Sequence, residues 1–253
     1  ADPPPPLAGL LDGASGHGSG GLYMERAPGT RFEYANVNYG ILGTLVESIT
    51  EMRFDVFCRE RIFVTLKMNA TFNIRDVDDI DTVAALYRKV EGTWTPQMDD
   101  YGGVLPPTRD LSGYRPGTNA VIFSPQGGMR ASANALATFT LMHMNNGAWN
   151  GASVLKPETA TLMRQAQFAS GDSEGPEGSW GLGFRLPARL PGADEAFGEG
   201  SVAGHSGEAY GLLSAMYFDA SKGTGVVFIT NGCGAKLGVP EGSGFYAVEE
   251  ELL

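Results

Sequence analysis

The sequence predicts an α+β fold, an antiparallel sheet flanked by helices plus a mainly helical subdomain. Apolar residues recur at helical spacing from about residue 38 to 62 and again from 133 to 144. The last third instead reads as short strand-like runs separated by turn residues. Glycine, 36 of 253 residues, is at about twice its usual ~7% share and follows no period, which indicates loops and close backbone approaches. The expected division is 1–178, mainly helical with long loops, and 179–253, the sheet portion; no internal repeat is visible.

Residues 1–30 read as loop. Pro3 to Pro6 is a polyproline run, and Gly13 to Gly21 is a Gly/Ser stretch in which His17 reads as solvated. Pro28-Gly29-Thr30 signals a turn. Phe32 to Asn36 then reads as extended, and from about Asn38 a helix carries Ile41, Leu42, Leu45, Val46 and Ile49. Asn36 or Asn38 is expected to cap it. On extended backbone Tyr34 and Asn36 project to the same side, at the mouth of a helix N-terminus. A phenol and a carboxamide there could take a proton and bind a carbonyl; on this stretch alone, a packed ring and a capping amide are the stronger reading.

A second helix runs from Phe54 to about Met68, and Asn69 to Phe72 is expected as an exposed turn. Asp76 to Asp81 holds four aspartates, but a calcium loop needs glycine where Asp81 stands and glutamate where Tyr87 stands, so it reads as a solvated acidic loop. Residues 83–90 and 92–96 suggest two short strands, and 99–117 a long surface loop. Ser132 is placed to cap a helix with Leu136, Phe139, Leu141 and Met142, in which His143 reads as packed. Pro157 opens a helix over 158–168, followed by an acidic loop over 170–178. A strand region begins at Trp180, and antiparallel strands are expected at 201–207, 210–218 and 224–230. Their turns fall at Glu208-Ala209 and at 219–223, with a terminal helix over 245–253 packing across the sheet.

The formal charge of −11 argues against nucleic acid and against an anionic membrane surface. No apolar run approaches the ~18 residues of a membrane span, and no secretory signal is present. The chain opens on Ala1, so processing or a further upstream segment is expected. Cys58 and Cys233 read as two buried thiols, with a disulfide left open. The three histidines are isolated and lack metal-ligand spacing, so no metal is expected, and no phosphate-binding glycine pattern implies a cofactor. Gly204-His205-Ser206-Gly207-Glu208 comes nearest to G-x-S-x-G but ends on Glu, in a strand. The one S-x-x-K, Ser153 to Lys156, is followed by Pro157, which keeps Lys156 out of the helix, so it reads as a coincidence.

Tyr34-Ala35-Asn36, Gly127-Gly128 and His205-Ser206-Gly207, in this order, resemble the serine β-lactamase and penicillin-binding-protein superfamily. The branch most similar is that of the class C β-lactamase-like proteins, with its esterases and D-amino-acid peptidases. The resemblance runs from about Gly21 through nearly the whole chain. Two segments depart from it: Thr65-Leu66-Lys67-Met68 stands for Pro-Leu-Gly-Met, and Asn134 stands where Asp is common. The resemblance implies proton transfer by Tyr34, whose ordinary pKa of ~10 would need a neighbouring cation to favour the phenolate. It implies that Asn36 positions that cation and the substrate, that His205 lines the opposite wall, and that Gly207 lets substrate lie along the strand. The Glu208 N–H would be half of an oxyanion hole; its carboxylate is an oddity, turned away or selecting a cationic group.

The family's nucleophilic S-x-x-K lies farther upstream of Y-x-N than this sequence extends, so a separate N-terminal chain or segment is an implied partner. The expected function is acyl-enzyme hydrolysis of a small-molecule ester, lactam or peptide, in a bacterial periplasmic or secreted protein. The alternative is a nucleophile-less binding protein for peptidoglycan or peptide fragments; a third reading is a structural partner chain without a site.

Overall fold

The computed structural model describes residues 5–11, 23, 25–30, 32–167, 179–187, 202–233, 245–247 and 249, which build an α+β arrangement on a five-stranded antiparallel sheet. The expectations for His17, for the acidic loop at 170–178 and for most of the terminal helix lie outside these residues.

The sheet is ordered β11 (Thr224–Ile229), β10 (Leu212–Asp219), β9 (Val202–Ala209), β8 (Arg185–Leu186) and β7 (Ser179–Trp180). The β9–β10 turn is Tyr210-Gly211, both at positive φ (54° and 92°), not the expected Glu208-Ala209. A two-residue hairpin turn needs this left-handed backbone, which tyrosine seldom adopts, so the usual Asn-Gly signal is missing from the sequence. Glu208 therefore lies within β9.

Strand alternation places a core on each face. Val202, Ala215, Tyr217 and Phe245 form one, and Phe245 belongs to the few described residues of the terminal segment. Phe184, Ala203, Met216 and Phe218 form the other, under Leu136, Phe139 and Met144. Tyr217 and Phe218 are fully buried; aromatic rings of this kind remove roughly 150–250 Å² each from water and dominate the sheet's stabilisation.

Six short strands and six α-helices complete the described structure. α1 (Leu7–Leu11) interrupts the expected N-terminal loop, with the Leu7 N–H donating to Thr118 O and Leu7 buried. α2 (Val37–Thr50) is followed by α3 (Phe54–Cys58), a π-helical turn (Arg59–Phe63) and α4 (Val64–Leu66). The expected exposed turn at Asn69–Phe72 is instead β1 (Ala70–Thr71), paired with β4 (Arg130–Ala131), and Thr71 is buried. Met68 and Phe72 on either side of β1 sink into the helical core of Cys58, Phe63, Leu66, Ala135 and Met142, which draws the segment inward. β2 (Leu86–Val90) and β3 (Thr93–Met98) form a hairpin. Ser132 caps α5 (Ala133–Met144) through Oγ, which accepts the Ala135 N–H. β5 (Ala148–Trp149) and β6 (Ala152–Ser153) precede α6 (Pro157–Met163), which ends five residues before the expected 168. It ends because the chain turns to meet β7: Met163 O accepts the Leu182 N–H, and the Gln167 N–H donates to Trp180 O. Cys58 and Cys233 are free thiols, the first buried and the second half-buried; burial pushes the Cys58 thiol up to about 12. No described helix is long and apolar enough to cross a membrane.

α2 turns its small and polar side inward. A Cβ on Gly40 would lie 2.4 Å from Val121, and one on Gly43 would lie 2.8 Å from Pro125. Thr44 Oγ1 accepts the Ala120 N–H, and the fully buried Glu47 carboxylate takes the Phe54 N–H, the Tyr114 hydroxyl and the Gly117 N–H. Leu42, Leu45 and Ile49 face outward, 54%, 53% and 73% exposed. The apolar period predicted the helix; its inner face is the opposite one. The loop from Asp99 is pinned at one end by Arg130, which grips the Asp99 carboxylate with Nε and Nη2, and at the other by Glu47.

Two stability predictions follow from these buried groups. Glu47→Ala leaves a hydroxyl and two N–H groups unpaired and should cost about 3 kcal/mol, read as a lower urea midpoint, with a smaller loss for Glu47→Gln. His143 is packed edge-on to Phe139 and Phe184, and burial pushes its pKa down to about 4, with Arg164 adding to the shift. The unfolded chain binds this proton first, so the stability from neutral His143 is complete above about pH 6.5 and lost as pH falls towards 4. At about 1.4 kcal/mol per pKa unit this amounts to about 3 kcal/mol. Urea unfolding of His143→Leu at pH 7 and pH 4 should show a fall smaller by that amount.

Candidate active site

The approach to the site begins at the turn before Phe32, closed by Thr30, whose N–H and hydroxyl both donate to Ala27 O. The chain is irregular to Ala35, and Asn36 already has helical angles, φ −58° and ψ −33°. An N-cap side chain reaches back to the first turn from β-region angles, and Asn36 accordingly makes no side-chain cap bond. Asn38 lies inside α2, so neither asparagine caps in the expected way. The Asn36 residue is left exposed at the helix mouth, two positions from Tyr34.

Tyr34 and His205 face each other, with ring centroids 5.9 Å apart. Trp180 touches both, at 5.7 Å from Tyr34 and 5.6 Å from His205, and Phe32 stacks on Trp180 at 5.0 Å. Two ends of the chain thus meet in one aromatic group. Burial raises the Tyr34 pKa, and it raises that of Tyr39 too, where Tyr34 adds to the effect. Tyr34 is therefore a protonated phenol at neutral pH.

His205 Nδ1 lies against Ser206 O. A carbonyl only accepts, so Nδ1 carries the hydrogen and Nε2 is left as a bare acceptor. Burial, the largest influence, lowers the His205 pKa; Arg185 also lowers it, while the Ser206 bond and Glu249 oppose. The ring is neutral at pH 7.

Alternation along β9 sends His205 and Gly207 to one face and Ser206 and Glu208 to the other. A Cβ on Gly207 would lie 2.8 Å from Ser214 Oγ, so the strand surface stays low beside His205. Ser206 Oγ lies 3.0 Å from the Tyr217 hydroxyl on the far face, and Arg88 Nη2 pairs there with the Glu208 carboxylate at 3.1 Å. Of the two expectations for that carboxylate, it is the one turned away.

The direction of the Glu208 N–H follows from the ladder. Its partner Leu213 bonds across to Thr230, donating N–H to Oγ1 and accepting the Thr230 N–H. Leu213 thus spends its backbone groups on the β11 side, and in an antiparallel ladder Glu208 must point its own away from β10. On that side β8 pairs with β9 only at Gly204, so among the described residues the Glu208 N–H faces an uncovered strand edge.

Ser153 and Lys156 are not part of this group. Ser153 ends β6, and Lys156 is extended (φ −70°, ψ 147°) just before Pro157 opens α6. Their neighbours Val154 and Leu155 pack in the helical core. The described residues contain no cluster of three His, Cys, Asp or Glu side chains able to hold a metal. Phe32 and Trp180 escaped sequence reasoning, because an aromatic in an irregular segment or a two-residue strand carries no local sign of its distant partners.

The family model described as Beta-lactamase matches residues 20–240. The chain is 28% identical over 211 residues to penicillin-binding protein 4 of Amycolatopsis lactamdurans, covering 81% of this chain and 48% of the relative. It therefore spans about half the length of that protein. Among solved structures, it is similar to an octameric penicillin-binding protein homologue from Pyrococcus abyssi (TM-score 0.63, 18% identity, 89% of this chain and 44% of the other). It is also similar to a β-lactamase/D-alanine carboxypeptidase from Pseudomonas syringae (TM-score 0.62, 18% identity, 96% and 62%). A third is a D-amino acid amidase from Ochrobactrum anthropi (TM-score 0.58, 20% identity, 93% and 65%). At these identities the structural likenesses show the fold.

The His205 geometry sets an outcome for nitrogen NMR. The ring should be the neutral Nδ1–H tautomer at pH 7, with a titration midpoint below the ordinary imidazole value near 6.5. An Nε2–H tautomer would contradict it.

Proposed function

This chain belongs to the Beta-lactamase family of serine-hydrolase-type proteins, and from that membership we propose that it forms one wall of a cleft where an ester or amide is cleaved through an acyl-enzyme. The observation that carries the proposal is the Tyr34–His205 contact beside the uncovered Glu208 N–H. In the proposed reaction a serine Oγ attacks the substrate carbonyl, its proton passes to Tyr34, and the carbonyl oxygen draws on the Glu208 N–H as charge builds on it. Tyr34 then hands the proton to the leaving group, and water releases the acyl group by the same route. Asn36 at the helix mouth orients the reacting groups, and His205 accepts a hydrogen bond at Nε2.

Two parts of this scheme lie outside the described residues: the nucleophile, and a cation to favour the Tyr34 phenolate. Their proposed source is a further N-terminal segment or chain. The outward stripe of Leu42, Leu45 and Ile49 supports this, since it lies on the helix that directly follows the Tyr34–Asn36 segment and offers apolar surface for such a piece. The amidase and carboxypeptidase among the similar structures support a small amide or ester as substrate. The protonated state of Tyr34 favours a second reading, a cleft that binds peptidoglycan or peptide fragments without turnover.

A fluorophosphonate or fluorescent penicillin, applied to the natural full-length protein, separates the readings by intact mass. A stoichiometric adduct is the expected result, with Tyr34→Phe lowering kcat by about 10²–10⁴-fold while the protein stays folded. Reversible binding with no adduct establishes the binding reading and overturns the hydrolase.

A further inference from the structure

We infer that Trp180 is a positioning residue for the Tyr34–His205 pair, its indole fixing how the two rings meet and which imidazole nitrogen faces the cleft. The inference rests on the proposed reading of that pair as the acting groups.

Trp180 is only 7% exposed, and three aromatic partners surround its ring. Phe32 stacks on it at an interplanar angle of 18°, Tyr34 tilts against it at 46°, and His205 meets it at 63°, edge to face. Among the described residues its buried indole N–H has no acceptor, so ring contacts hold the side chain rather than a hydrogen bond.

The backbone beneath the indole has little freedom. Trp180 O accepts the Gln167 N–H at 2.7 Å, and the Gly181 N–H donates to Phe184 O at 2.9 Å. A Cβ on Gly181 would lie 2.1 Å from Met163 O, so the chain passes against the end of α6 with no room to shift. A wall fixed in this way transmits the position of β7 to rings carried by two other segments.

Among the described residues, His205 has few other restraints. Its own neighbour Ser206 accepts from Nδ1, Tyr34 faces it from the segment before α2, and Met216 stands opposite on β10. Arg185 from β8 and Glu249 from the terminal segment act on it electrostatically, with opposite signs. Without the indole, the imidazole keeps a single aromatic contact among the described residues, and the Ser206 bond alone must hold the ring against rotation about its last bond, so the Nε2-out orientation loosens.

The test uses Trp180→Leu and Trp180→Phe in the natural full-length protein, with nitrogen NMR of His205 and steady-state kinetics on an activated ester. In Trp180→Leu, the Nδ1–H tautomer should give way to a mixture and the His205 midpoint should rise towards the ordinary imidazole value. The kcat should fall about 10-fold or more with KM changed less than about 3-fold, and the pH–rate profile should move with the His205 midpoint. Trp180→Phe, which keeps a flat ring, should recover much of both effects; if Trp180→Leu does not fold, the same shift in reduced form in Trp180→Phe decides the matter. An unchanged tautomer and midpoint, with only the melting temperature lowered, overturns the inference and makes Trp180 a packing residue. Failure of the hydrolase reading shows separately, as no adduct in the unmutated protein, and leaves the NMR result decisive for Trp180.

Discussion

The arrangement depends on how closely α2 lies against the segment from Ala120 to Pro125. Gly40 and Gly43 leave no space for even a methyl group there, and Thr44 ties the helix to the Ala120 N–H. Helix and segment are in contact at backbone distance, so sliding one past the other breaks a buried hydrogen bond and opens a void. Because Tyr34 and Asn36 enter that helix directly, the same contact sets where the phenol stands relative to the sheet. Glu47, one turn further on, extends the constraint to the loop through Tyr114 and Gly117.

The sheet supplies the second fixed reference. Ten of its residues lie in β9 and the turn that follows, and the register with β10 decides which of them share the face of His205. The turn at Tyr210-Gly211 is what carries the pairing out to Ala209 and puts the Glu208 N–H in the ladder's outward-pointing set. A turn two residues earlier would remove Glu208 from the strand and the donor from the edge. Crowding reinforces the turn: a Cβ on Gly211 would lie 1.9 Å from Tyr87 O, where the β2–β3 hairpin abuts the sheet. Arg88 on that hairpin then holds the Glu208 carboxylate on the face away from His205.

How much of this the sequence disclosed depended on how local the cause was. The Ser132 cap, the proline at the start of α6, the antiparallel run through β9, β10 and β11 and the buried His143 were legible, because each follows from neighbours in the chain. Tyr34, Asn36, His205, Gly207 and Glu208 were picked out by resemblance, and the chain brings the first and third of them together over a long separation. The side of α2 that faces inward was not legible: its apolar period pointed to Leu42, Leu45 and Ile49, whereas packing is set by the glycines and by buried Glu47. Trp180 was invisible for the same reason, since its role comes from partners that only the fold assembles. The Asn36 cap failed for a more local reason, a backbone that turns helical one residue earlier than expected.

The charge states of the site make one coherent set. A phenol held protonated is a donor, and an imidazole held neutral with Nε2 bare is an acceptor, so the two rings are matched at neutral pH without any ion between them. On the proposed reading, activation requires a positive charge beside Tyr34, because burial opposes the phenolate. The imidazole is poorly suited to supply that charge, since burial favours its neutral form.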